Sequence, residues 1–147
     1  VDSRLFNLAA SIFRSRLSCL GGDAEPIAYL VVLCAAHMSG DPFAGMALLS
    51  LLSRSLRSIA ERVRDAFEKC GVRAPGPDPA ASGLHSALCL YVSQLLSSVA
   101  DPAIREFTRL LNVYTRTRGR EAEETLKRIE ALASQQAQAQ TADRTPH

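Results

Sequence analysis

From Leu5 to Ala133 the apolar residues of this chain recur at intervals of three and four, and no stretch alternates apolar with polar positions. That spacing constrains the fold more than any other feature. A side chain returns to one face of an α-helix roughly every 3.6 residues, whereas on a strand it returns every second residue. The chain is therefore expected to be all-α: a single compact bundle of about five or six helices, with a long third helix and a flexible C-terminal tail.

Leu5, Leu8, Ile12, Phe13, Leu17 and Leu20 give the first amphipathic helix, and Gly21-Gly22 stops it. The segment EPIAYLVVLCAAHM, apolar on nearly every side, reads as a central buried helix over about 26–38. From Leu49 through Leu52, Leu56, Ile59, Val63 and Ala66 to Cys70, spacings of three and four form a seam, and Gly71 ends that helix. A kink near Ser53 to Ser55 is compatible with serines competing for local backbone bonds. Leu84, Leu88, Tyr91, Val92, Leu95 and Val99 give a second well-buried helix, and Ile104, Phe107, Leu110, Leu111 and Tyr114 a further amphipathic one.

The dipeptide Asp-Pro occurs at 41–42, 78–79 and 101–102, each time before an apolar run. Proline lacks the donor that a first helical residue does not need, and it holds the preceding residue extended. An aspartate in that position accepts from the free amides of the first turn and meets the positive end of the helix dipole. All three pairs are expected to start helices. Their separations of 37 and 23 residues have no fixed period, which argues against a solenoid.

The segment GVRAPGPDPAASG is the main loop. Residues 1–118 are expected to form the bundle core, 119–134 a charged C-terminal helix with Glu123–Lys127 and Glu124–Arg128 pairs, and 135–147 a flexible polar tail. Gly119 is either a joint or lies within one continuous helix.

A length of 147 residues and an apolar fraction of 47% fit one domain with its own core. The net charge of +2 creates no strong field toward nucleic acid or membrane. The longest nearly uninterrupted apolar run, Ile27 to Ala36, is half of what a spanning helix needs, so no transmembrane segment is expected. Cys19, Cys34, Cys70 and Cys89 are widely spaced and include no Cys-x-x-Cys. Free thiols in a reducing compartment, cytoplasmic or nuclear, are the expectation.

Cys34 and His37 at i, i+3, with His85 and Cys89 at i, i+4, offer two Cys and two His to zinc. Both pairs lie in strongly apolar helices, where cysteine packs as a small hydrophobe, so no metal and no other cofactor is expected and a zinc-stabilised domain is the minor alternative. No Gly-x-Ser-x-Gly elbow and no Gly-rich phosphate loop is present, and the chain is not expected to be an enzyme.

Partner contacts are assigned to Arg105, Arg109, Arg116, Arg118 and Arg120, and to Leu126 and Ile129 on the thin stripe of the last helix. Glutamates interleave with these arginines and aromatics make up only 5% of the chain, so nucleic-acid binding ranks second. The leading functional expectation is a non-catalytic protein-protein interaction module, a scaffold, adaptor or viral structural or regulatory domain, that binds another protein or helix and forms a homodimer as one case.

Overall fold

The computed structural model describes residues 2–74, 76, 78–81 and 85–143, except for the side chains of 52–55, 80 and 140–143. Among the described residues six α-helices follow one another: α1 (Ser3–Arg16), α2 (Ala24–Met38), α3 (Pro42–Lys69), α4 (His85–Ser97), α5 (Pro102–Arg116) and α6 (Arg120–Asp143). Two 3-10 segments, Ser18–Asp23 and Pro79–Ala81, precede α2 and α4, and no strand occurs among the described residues.

Helix α2 packs against α1, α3, α4 and α5 and so occupies the middle of the fold. Its composition explains this placement, because Ile27, Leu30, Val31, Val32 and Leu33 leave no polar side to turn outward. The fully buried rings of Phe13, from α1, and Phe107, from α5, meet edge to face with centroids 5.8 Å apart. Helix α6 closes the bundle by packing along α1 and α5.

The Asp-Pro expectation holds twice. Asp41 accepts from the amides of Phe43 (2.9 Å) and Ala44 (3.4 Å) at the start of α3. Asp101 accepts from Ala103 (2.9 Å) and Ile104 (3.2 Å) at the start of α5. The third pair differs: Asp78-Pro79 opens only the 3-10 turn Pro79–Ala81, closed by the Ala81 amide on the Asp78 carbonyl at 3.1 Å. Leu84, expected to begin the next helix, lies outside the described residues. An Asp without a following proline also caps: Asp2 accepts from the Arg4 amide at 2.9 Å.

Two further expectations are revised and one left open is decided. Helix α1 stops at Arg16, and the chain passes through a 3-10 segment in which Gly21 adopts φ 58°. The polar run after Ser134 is not a loose tail over 135–143, where α6 continues to Asp143; alanine and glutamine sustain a helix and no proline intervenes before Pro146. Gly119, at φ 64°, is a joint between two helices.

The cysteines depart furthest from expectation. Cys19 and Cys70 form a disulfide, with Cα atoms 5.3 Å apart across 51 residues of sequence. The 3-10 segment carries Cys19 alongside α3, and Gly71 at φ 76° turns the chain there, with the Val72 amide bonded to the Phe67 carbonyl at 3.0 Å. That proximity depends on a turn whose geometry residue spacing does not encode.

Ser18–Met38 is long and apolar enough to cross a membrane by length and composition. It is also the core of this bundle, broken at Gly21 and more than half buried.

Candidate interaction surface

The buried stripe of α3 begins with Ala44 and Leu48 and resumes with Ala60, Val63, Ala66 and Phe67. Leu49, the first residue of the expected seam, is instead 56% exposed, while Leu56, Ile59 and Cys70 are half-buried. Leu52 and the serines of the expected kink lie among the side chains outside the described residues. Leu49 and the fully buried Phe67 stand about five helical turns apart on the same side of α3, so neighbouring helices cover that side along the second half of α3 and leave it open along the first.

The side left open is apolar. Phe43 (79% exposed), Met46 (68%) and Leu49 (56%) follow at i, i+3 and i+6 along the N-terminal half of α3, and Met38, just before the α2–α3 turn, is also exposed. No charged residue occurs from Pro42 to Ser53. Scattered exposed apolar side chains are ordinary, but three large ones in succession on a charge-free stretch of helix form a patch.

Phe43 also lines a groove of about 490 Å³ between the α2–α3 turn and the end of α5, together with Pro42, Tyr114, Thr117 and Arg118. One of the arginines expected to meet a partner therefore borders the apolar face. A second groove, about 560 Å³, runs between α2 and α3 and is walled by Pro26, Tyr29, Leu30, Leu51 and Val63, with Glu25 and Arg62 also lining it. Arg62 is tied at 2.6 Å to Asp23, just ahead of α2.

The other expected partner residues separate. Arg109 is paired with Glu106 at 2.6 Å, and the Arg105 side chain donates to the Val99 carbonyl at 3.2 Å. Arg116, Arg118 and Arg120 are exposed around the α5–α6 joint. Leu126 and Ile129 correct the expectation placed on them: they are 3% and 0% exposed, on the side of α6 that packs on α1 and α5, and present no edge to a partner. Thr125 beside them is buried as well, its hydroxyl bonded to the Glu121 carbonyl at 2.8 Å.

The zinc constellation is not assembled. Cys34 and Cys89 come together between α2 and α4, but the His37 ring faces α3, where a Cβ added at Gly45 would stand 3.1 Å from Nδ1. Among the described residues no group of three or more His, Cys, Asp or Glu is placed to hold a metal ion.

The apolar row was missed because Phe43, Met46 and Leu49 fit a buried stripe as readily as an exposed one. The available signal was the charge-free run of α3 itself, from Pro42 to Ser53. No protein-family model matches this chain, and neither the curated proteins nor the solved structures include a significant match.

Proposed function

We propose that this chain is a non-catalytic protein-protein interaction module, and that the N-terminal half of α3 associates with a second copy of itself. The carrying observation is the exposed row Phe43, Met46 and Leu49 on the charge-free first half of α3. An apolar face is self-complementary about a two-fold axis, where each residue can meet its own surroundings in the other copy. The formal net charge of +2 adds little repulsion between copies. Large apolar side chains at such spacing are also what a helix offers when it packs on another helix.

The reading is tested by amide hydrogen exchange in dilute and concentrated samples. Amides of 43–51 are expected to slow on concentration while those of 135–143 do not. Equal exchange at both concentrations contradicts self-association.

A nucleic-acid reading rests on Arg116, Arg118 and Arg120, exposed together at the α5–α6 joint. It predicts binding to a single-stranded oligonucleotide that weakens steeply with salt and is lost when the three charges are reversed. For location, the Cys19–Cys70 bond removes the free-thiol premise behind a cytoplasmic or nuclear assignment, and a compartment that sustains disulfides suits the chain better.

A further inference from the structure

The four cysteines sort into two spatial pairs of different character. Cys19 and Cys70 are bonded to each other, and Cys19 is exposed. Cys34 on α2 and Cys89 on α4 are both buried thiols, 3% and 1% exposed, and they line one cleft between facing helices. Neither is needed as a ligand or nucleophile by the function proposed above. We infer that Cys34 and Cys89 form a peroxide-oxidisable dithiol, a site at which a small hydroperoxide is reduced and a second disulfide is made between α2 and α4.

Geometry supplies three supports. The two sulfurs sit on facing helices of the core, so one can resolve what the other forms without the chain unfolding. A cleft lined by both cysteines and by Met38, Ser93, Asn112 and exposed Arg116 gives access to them. Its volume of about 60 Å³ gives room for a molecule the size of hydrogen peroxide, while the burial of both sulfurs, 3% and 1% exposed, keeps out a bulky tripeptide disulfide.

The two thiols are also electrostatically unequal. Contact with Cys89, and then burial, push the Cys34 thiol well above the ordinary thiol range. The Cys34 S–H bond to Cys89 acts the other way on Cys89 and lowers it, against the effect of burial. The thiolate is the nucleophile, and a hydrogen bond from Cys34 favours the thiolate form of Cys89.

The step balances. The Cys89 thiolate attacks one peroxide oxygen; an S–O bond forms, the O–O bond breaks, and the departing hydroxide takes up the proton Cys89 released, giving water. Cys34 then attacks the Cys89 sulfur of the sulfenic acid. An S–S bond forms, the S–O bond breaks, and the second hydroxide leaves as water with the Cys34 proton. Two thiols lose two electrons and two hydrogens, and one peroxide becomes two waters.

The test treats the whole chain, with Cys19–Cys70 intact, with one equivalent of hydrogen peroxide and measures intact mass, titratable thiols and the cross-linked peptides. The expected result is the loss of two hydrogens and of both thiols, a Cys34–Cys89 linked peptide, and full return of the thiols with a small dithiol. Oxidised glutathione is expected to leave the native protein unchanged. In Cys34→Ala a sulfenic acid should persist on Cys89 and be trapped by a cyclic diketone, whereas Cys89→Ala should not react. No mass change in the native protein, oxygen addition without a cross-link, or faster reaction with oxidised glutathione than with peroxide would each overturn the inference, whether or not either variant folds.

Discussion

Individual residues show where local chemistry decides stability. Asp101 caps α5 with two amide bonds and also binds Arg16 of α1 at 2.6 Å, so it ties two elements together. Burial raises its carboxyl, but the Arg16 hydrogen bond, the Ile104 and Ala103 amides and the Arg16 charge outweigh that and hold it below its ordinary value of 3.8. A carboxyl depressed in the folded state contributes stability that is complete above its unfolded pKa and is lost as pH falls through the lower folded pKa. Asp101→Asn is therefore expected to flatten the acid side of the stability profile, and Asp101→Ala to cost about 1–2 kcal/mol at neutral pH, both read by urea unfolding. Gly45 offers a second residue-scale case. Glycine within a helix is about 1 kcal/mol less favourable than alanine, yet a Cβ here would stand 3.1 Å from His37 Nδ1. Gly45→Ala is expected to gain little in the native background and about 1 kcal/mol when His37 is also alanine. An equal gain in both backgrounds would show that the contact does not restrict the site. The caps at Asp41 and Asp101 were legible in the sequence because capping is local; the Arg16 partner, 85 residues away, was not.

At the level of elements, periodicity located the helices but fixed neither their phase nor their ends. Cys34 and Cys89 could be placed on helices from the sequence, yet their meeting required α2 and α4 to be packed, which spacing along one helix does not determine. The expected docking stripe of α6 turned out to be core for the same reason: burial depends on α1 and α5 lying against it. Ile129→Ala is accordingly expected to destabilise the fold by about 2–5 kcal/mol in chemical denaturation. Removal of residues after Ser134, where no described side chain is fully buried, should change stability by less than about 0.5 kcal/mol. The disulfide joins the 3-10 segment to the end of α3 and closes a loop of about 50 residues. On the loop-entropy account this is worth about 4 kcal/mol. Cys70→Ser should show a stability loss of that order in non-reducing buffer, and a reductant that opens Cys19–Cys70 should bring the native protein to the same value.

Across the whole molecule, the arrangement places an all-round apolar helix at the centre and surrounds it with amphipathic ones, with the exception of the first half of α3. There Phe43, Met46 and Leu49 remain outside after the core is complete. Apolar residues without a partner within the chain gain from one outside it. The direct measurement is the solution mass across a concentration series, by light scattering behind size exclusion, for the native chain and for Phe43→Glu/Met46→Glu. A mass that doubles with concentration for the native chain, and stays at the 15.9 kDa monomer for the variant with its helicity retained, is the expected result. A native chain that stays monomeric at every concentration contradicts self-association through α3 and leaves a foreign partner to cover that face.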